Sequence, residues 1–170
     1  ETSVITLEND LAFLQQLKNK SEIILTGPTP YMWQEDFLTK NDHIDYVIKG
    51  EYELALLELL TTPKRPPRGV IIPPAPFDLN ALPWPERDDV PLLKYHDTPG
   101  GIPEPSAQMM ASRGCPFGCI FCLWPTVMYG GNNYRVRDHR DVVDEMEMLA
   151  RRGFKSVYFD DDTFGLDRNW

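Results

Sequence analysis

Residues 111–124, Ala-Ser-Arg-Gly-Cys-Pro-Phe-Gly-Cys-Ile-Phe-Cys-Leu-Trp, decide how the chain is interpreted, because they hold all three of its cysteines. Cys115, Cys119 and Cys122 follow the spacing C-x3-C-x2-C, with a proline and a glycine between the first two. Since proline and glycine disfavour the interior of helices and strands, we expect a tight loop that turns several thiols toward one centre. Thiolates are soft ligands that select zinc, copper(I) or iron–sulfur clusters. The stretch therefore predicts a metal centre.

The number of cysteines separates the kinds of centre. A closed zinc site needs four protein ligands, and an ordinary four-iron cluster also takes four cysteines. A cluster held by three cysteines leaves one iron with an open position for chemistry. Two alternatives remain: a non-catalytic zinc-binding module with His139 or His96 as the fourth ligand, and three unrelated buried thiols. The odd count and the chain length exclude a disulfide scaffold.

The loop resembles the cluster motif of the radical S-adenosylmethionine (SAM) enzymes, C-x3-C-x-aromatic-C. Phe121 occupies the aromatic position, and Ser-Arg-Gly precedes the first cysteine as it does in that family. The resemblance implies a [4Fe-4S] cluster bound by Cys115, Cys119 and Cys122, with SAM at the open iron and Phe121 beside it. It also implies a small-molecule substrate and a low-potential electron donor such as flavodoxin or ferredoxin.

The family resemblance implies a reaction as well. One electron from the reduced cluster breaks a sulfur–carbon bond of SAM, and the resulting 5′-deoxyadenosyl radical abstracts hydrogen from an unreactive carbon. In methylating members, cobalamin then supplies the methyl group. A radical cyclase or rearranging enzyme of the same architecture stays open. A methylthiotransferase would need further cysteines for a second cluster, and no cysteine precedes Cys115.

Residues 1–62 alternate between helical and strand patterns. We expect helices over 7–19, 31–39 and 51–60, and strands over 22–26 and 45–49. This order predicts an α/β fold with a parallel sheet, in which ligands bind beyond the carboxyl ends of the strands.

The strand ends of this first segment resemble the second half of a cobalamin-binding domain with a Rossmann-like fold. Such a domain often precedes the cluster domain in the radical SAM family. The resemblance implies that Thr26, Gly27, Gly50 and Glu51 border a crevice for cobalamin. A cobalamin-type fold that serves only as a scaffold is the alternative.

Residues 63–105 hold twelve of the sixteen prolines, which predicts an extended linker between domains. Within it, residues 78–85 carry apolar and aromatic side chains and are expected to pack against a domain. This segment also resembles the inter-domain linker of the family.

Residues 106–170 predict a strand at 107–111, a helix at 139–151 and a strand at 155–159, with Asp138 as the helix N-cap. The arrangement resembles the first βαβ unit of the partial (β/α) barrel of radical SAM enzymes. Asp161 and Asp162 follow the second strand and resemble the Phe-x-Asp-Asp-x-Phe variant of cobalamin-linked members. The resemblance implies that both bind the amino group of SAM, while a solvated acidic turn is the alternative.

Composition limits the remaining classes. The net charge of −9 argues against a surface that binds nucleic acid, and no apolar run is long enough to span a membrane. The absence of a signal peptide and the free thiols favour the cytoplasm. Because the chain begins at Glu1 rather than Met and ends at Trp170, we expect a fragment that is inactive alone and self-associates through open sheet edges.

Overall fold

The structure is a computed structural model that describes residues 4–29, 32, 34–74, 76–95 and 100–168. It divides into two compact units. The first unit contains residues 1–76 and 118–131, and the second contains residues 77–117 and 132–170. Across the described residues, no helix is both long enough and apolar enough to span a membrane.

The first unit is built on a parallel sheet of three short strands. The strands are β1 (Ile24–Leu25), β2 (Tyr46–Ile48) and β3 (Gly69–Ile71), in the order β1-β2-β3. The unit's helices are α1 (Val4–Gln15), α2 (Phe37–Lys40), α3 (Glu53–Thr61) and α4 (Trp124–Val127). The central strand β2 is an apolar run that is buried along its whole length, as expected for a parallel sheet.

The core of the first unit forms where α1 and α2 pack near the sheet. The leucines of α1 at helical spacing pack against it, together with the first turn after the helix. The buried members of this core are Ile23, Met32, Phe37, Ile44 and Val47, and the leucines packed against them are Leu11, Leu14 and Leu17. The helix ends earlier than predicted, at Gln15, because residues 16–18 form i→i+3 turns and Asn19 adopts a left-handed φ of 65°.

Two predictions for this unit are corrected by the structure. Within the predicted helix over residues 31–39 only α2 is an α-helix, and it ends where Asn41 donates its side-chain amide to the Phe37 carbonyl (2.9 Å); Tyr31 and Trp33 lie outside the described residues. Strand β3 lies inside the segment 63–105 that was predicted to be linker. Prolines flank β3 on both sides, and they are tolerated because it is an edge strand.

The second unit contains two small sheets and one long helix. Strand β4 (Ser106–Met109) pairs in parallel with β7 (Ser156–Phe159), and β5 (Ser112–Gly114) pairs antiparallel with β6 (Tyr134–Val136). Helix α5 (His139–Arg151) matches its prediction because Asp138 accepts hydrogen bonds from the backbone N–H groups of Arg140 and Asp141. The chain is therefore a mixed α/β protein with parallel sheets. Its assignment to a cobalamin-type half-domain and a barrel segment stays a prediction.

The segment that follows residue 77 packs against α5, as expected for residues 78–85. Trp84 donates its indole N–H to Asp141 (2.9 Å), and the side-chain oxygen of Asn80 accepts the backbone N–H of Asp138 (2.6 Å). Short 3₁₀ helices at Leu79–Ala81 and Leu92–Lys94 interrupt the extended segment. Its contacts with the helix are thus specific hydrogen bonds.

A buried ionic network covers the edge of β4 that faces away from β7. The carbonyls of Gln108 and Met110 on that edge accept hydrogen bonds from Arg87 (3.1 Å) and Arg137 (2.7 Å). Both guanidinium groups also form ion pairs with Glu145, at 2.8 and 2.6 Å, and the side chain of Glu145 is 0% exposed. The two arginines thus satisfy an unpaired strand edge while neutralising a buried carboxylate.

Replacing Glu145 by Ala should lower the free energy of unfolding by about 3–5 kcal/mol, because it leaves the buried Arg87 without its counter-charge and Arg137 with Asp141 alone. The matched control is Glu147→Ala on the same helix, whose side chain is 59% exposed and pairs with Arg151. That exposed pair should contribute under about 1 kcal/mol. Urea denaturation followed by tryptophan fluorescence measures both values. Equal effects of the two substitutions would contradict a structural role for the buried network.

Candidate functional site

The cysteines lie on a loop between β5 and α4, as the sequence predicts. Residues 115–123 form neither helix nor strand, and one turn is closed by the N–H of Cys122, which donates to the carbonyl of Cys119 (3.1 Å). None of the three thiols forms a disulfide; Cys119 is exposed, while Cys115 and Cys122 are half-buried.

The donor chemistry of this loop fits a soft metal centre, since it offers three unoxidised thiols within eight residues. Among the described residues, no three His, Cys, Asp or Glu side chains are already gathered as a metal site. His139 is an exposed residue at the start of α5, and His96 lies outside the described residues. Neither histidine is shown to be a fourth ligand.

Large apolar side chains on the loop face solvent. Phe121, the predicted neighbour of SAM, is 85% exposed, and four other side chains of the loop and of α4 are also exposed: Phe117, Ile120, Leu123 and Trp124. Exposed large apolar side chains grouped along one short segment of sequence are typical of an interaction or ligand site. The ring of Phe121 is therefore largely exposed, and the contact of Phe121 with SAM stays a prediction.

Asp161 and Asp162 contact the strand that leads into the cysteine loop. The Asp161 carboxylate accepts the backbone N–H groups of Ala111 (2.9 Å) and Ser112 (2.6 Å) and lies in short contact with the Ser112 hydroxyl. Asp162 accepts the backbone N–H of Gly114 (3.0 Å). These carboxylates are therefore not a freely solvated turn, and their contact with SAM stays a prediction.

The parallel pairing of β4 and β7 brings these groups together. Met109 at the end of β4 accepts the backbone N–H of Asp160 (2.9 Å), so the next residues of both strands emerge at the same edge. The rings of Phe159 and Phe164 stack with centroids 4.6 Å apart and bracket the acidic turn. The Phe-x-Asp-Asp-x-Phe pattern therefore forms one compact turn.

Gly114, the glycine of the Ser-Arg-Gly stretch before Cys115, has a steric role that the sequence pattern does not reveal. Its φ is +91°, and a Cβ atom there would lie only 2.3 Å from the carbonyl oxygen of Asn133. Gly114 pairs with Tyr134 across the antiparallel ladder, so this close approach belongs to the β5–β6 pairing. The signal in the sequence is its place directly before Cys115.

The predicted crevice residues lie together at one edge of the first sheet. Thr26 and Gly27 follow β1, while Gly50 and Glu51 follow β2, its parallel neighbour. Thr26 is exposed, Glu51 is buried, and the space beside Gly27 is open. Their role toward cobalamin stays a prediction.

Gly50 is in close contact with the segment that follows the cysteine loop. A Cβ at Gly50 would lie 3.0 Å from the carbonyl oxygen of Met128, directly after α4. Pro125, Val127 and Tyr129 are buried in the same segment. The end of the cysteine segment therefore packs near the carboxyl end of β2, within the first unit.

A separate cavity of about 260 Å³ lies in the second unit beside β4. Its lining includes Trp84, Pro85, Gln108, Met110 and Ser112. None of the predicted ligand or cofactor residues lines it.

No protein-family profile and no solved structure matches this chain. Curated proteins do. An uncharacterized methyltransferase of Pyrococcus horikoshii is 29% identical over 163 residues, a match that covers 86% of this chain and 34% of the relative. A tRNA-2-methylthio-N(6)-dimethylallyladenosine synthase of Bacteroides thetaiotaomicron is 26% identical, covering 88% of this chain and 30% of the relative.

A third relative is the cobalamin-dependent radical SAM methyltransferase TokK of Streptomyces tokunonensis, 26% identical over 163 residues, with 85% of this chain and 23% of the relative covered. The chain thus spans about a third or less of the length of these proteins. The matches confirm its similarity to the cobalamin and radical SAM family of enzymes, at low identity.

Exchanging Gly114 for Ala should destabilise the second unit more than exchanging Gly153 for Ala. Both glycines have a positive φ, +91° and +97°, so both variants carry the backbone strain of about 1–3 kcal/mol. Only at Gly114 does the new methyl group also overlap a backbone oxygen, which adds roughly 1–3 kcal/mol. The denaturation midpoints of the two variants measure this difference. Similar midpoints would contradict a steric role for the close approach of Gly114 to the Asn133 carbonyl.

Proposed function

We propose that this chain, a relative of radical SAM methyltransferases, binds a [4Fe-4S] cluster through Cys115, Cys119 and Cys122 and functions in cobalamin-linked methylation of an unreactive carbon. The observation on which the proposal rests is the set of three unoxidised thiols, spaced C-x3-C-x2-C, on a loop outside any helix or strand. A bound cluster of this kind would supply an electron and an open iron for cleaving SAM.

The residues around the thiols support this function through their own chemistry. The exposed ring of Phe121 can cover a bound cofactor and exclude water, which a radical reaction requires. In this proposal the carboxylates of Asp161 and Asp162 supply the negative charge that pairs with the ammonium group of SAM. A low-potential donor such as flavodoxin or ferredoxin, a small-molecule substrate and a cytoplasmic location complete the proposal.

Cobalamin binding is proposed for the edge of the first sheet. The support is that Thr26, Gly27, Gly50 and Glu51 follow two adjacent parallel strands, where α/β proteins place ligand crevices. The relative TokK is named as cobalamin-dependent. Methyl transfer through this cofactor distinguishes the proposal from the radical cyclase or rearranging alternative.

A methylthiotransferase is the second candidate, favoured by the Bacteroides relative, whose name describes a tRNA-modifying synthase. Residues 1–114 contain no cysteine for a second cluster, and the net charge of −9 disfavours an RNA surface. SAM labelled in its methyl group, supplied to the complete enzyme, separates the candidates: transfer of the labelled methyl group that depends on added cobalamin supports our proposal. Transfer of a methylthio group supports the second candidate, and 5′-deoxyadenosine without label transfer supports the cyclase.

Each single exchange of Cys115, Cys119 or Cys122 for Ala should abolish cluster formation, because a four-iron cluster with one remaining open position cannot lose a further ligand. After anaerobic reconstitution with iron and sulfide, the absorbance spectrum of the parent protein should show the broad thiolate-to-iron charge-transfer band at about 400 nm. Phe117→Ala is the control, since Phe117 is an exposed residue on the same loop. A protein that binds zinc and stays colourless, or an intact cluster in the Cys119→Ala variant, would overturn the assignment.

Placing a tryptophan at Thr26 should block cobalamin from the proposed crevice. Thr26 is exposed at the carboxyl end of β1, so the larger side chain is tolerated by the fold. Ser21→Trp is the control, because Ser21 is exposed on the amino-terminal side of the same strand. Equilibrium dialysis with hydroxocobalamin should show at least about tenfold weaker binding for Thr26→Trp only. Equal affinities would place the cofactor elsewhere.

A further inference from the structure

We infer that Asp161 and Asp162 are positioning residues that fix the strand from which Cys115 emerges. This inference rests on the proposed function, since it gives the two carboxylates a role toward the ligand loop of the cluster. It differs from the contact with SAM that the family resemblance implies.

Two buried backbone N–H groups at the start of β5 need hydrogen-bond acceptors. Strand β4 pairs with β7 as far as Met109, and the chain then leaves that partner to form β5, which pairs with β6. At this change of partner, Ala111 and Ser112 are buried, at 1% and 2% exposure. Their N–H groups cannot reach water, and an unsatisfied buried N–H group is costly. The Asp161 carboxylate accepts both of them.

The acceptor of these hydrogen bonds is a carboxylate. Hydrogen bonds to an ionised carboxylate are about twice as strong as those between neutral groups. Both oxygens of Asp161 are engaged: Oδ1 by Ala111, and Oδ2 by the backbone and hydroxyl of Ser112. The Ser112 hydroxyl also lies 3.1 Å from the carbonyl oxygen of Thr163, so it contacts the acidic turn at two points. Asp161 is thus a partner of β5 on both of its oxygens.

The last residue of β5, Gly114, is held by the second aspartate of the pair. Asp162 accepts the N–H of Gly114, the residue directly before Cys115. On its other side, Gly114 approaches the Asn133 carbonyl so closely that no Cβ fits. The backbone is therefore held from two directions one residue before the first thiol. The end of β7 is coupled in this way to the position of Cys115.

The matched control for this inference is Asp160. It adjoins the pair and carries the same charge, but it is exposed and donates only its backbone N–H to the sheet. Asp161→Asn preserves the shape of the side chain while replacing one accepting oxygen by an amide group that donates. Asp162→Asn tests the hydrogen bond to Gly114. Should Asp161→Asn fail to fold, Ser112→Ala removes the hydroxyl contact to Asp161 while keeping the two backbone N–H donors.

Two measurements on the anaerobically purified protein test the inference. Hydrogen exchange of the unloaded protein should be at least about tenfold faster at residues 111–114 in Asp161→Asn than in Asp160→Asn. In the reconstituted protein, iron loss to a chelator should be about tenfold to a hundredfold faster in Asp161→Asn than in Asp160→Asn. The acceleration of iron loss should be smaller in Asp162→Asn. Leu149→Ala, which opens a cavity in the core cluster that also contains Ala111 but leaves the Asp161 contacts in place, should destabilise the fold without this acceleration of iron loss.

The outcomes separate this inference from the proposed function. Exchange and iron loss at the parent rate, together with weaker SAM binding by calorimetry, would make the aspartates SAM ligands and overturn the inference alone. A parent protein that forms no cluster would overturn the proposed function and the cluster-directed role, whereas faster exchange in Asp161→Asn would still establish the contact with β5. Equal iron loss from Leu149→Ala and Asp161→Asn would reduce the role of Asp161 to general stability and overturn the inference.

Discussion

The hydrogen bonds between Asp161 and the backbone of Ala111 and Ser112 are the constraint on which the second unit depends. A chain that changes from a parallel partner to an antiparallel one must leave some N–H groups unpaired at the change. In a buried position those groups need an acceptor, and a carboxylate can accept two of them at once. The acidic turn after β7 is therefore also the element that allows β5 to begin.

The opposite edge of β4 depends on a second ionic arrangement. Glu145 is buried between Arg87 and Arg137, and these arginines bind the carbonyls that β7 leaves unpaired. A buried carboxylate is costly to desolvate, so its presence is stabilising only while both guanidinium groups remain in place. Because Arg87 belongs to the proline-rich segment, that segment is fixed to β4 and α5. The backbone of β4 is thus hydrogen-bonded on both edges, by β7 on one and by arginine contacts to two carbonyls on the other.

The parts of the fold that depend on local signals could be predicted from the sequence, whereas those that depend on distant partners could not. Helix α5 was predicted with its bounds because Asp138 and Gly153 mark its ends and its apolar face repeats regularly. Strand β3 was missed because its flanking prolines suggested linker, and only the neighbour β2 makes it an edge strand. Strand β5 lacks apolar alternation, and β6 is only three residues long. Strand β5 also relies on donors and acceptors some fifty residues apart. For the same reason the sequence indicated a functional acidic turn but not its contact with β5.

The first unit links the two proposed cofactor sites through a short stretch of chain. Cys122 and Met128 are six residues apart, which limits their separation to about 20 Å even in a fully extended chain. The helical turn of α4 shortens this distance further, since a helix rises only about 1.5 Å per residue. The Met128 carbonyl lies against Gly50, at the sheet edge proposed for cobalamin. In the proposed function, the third thiol is therefore held within a bounded distance of the cobalamin crevice, as a methyl transfer that uses both cofactors requires.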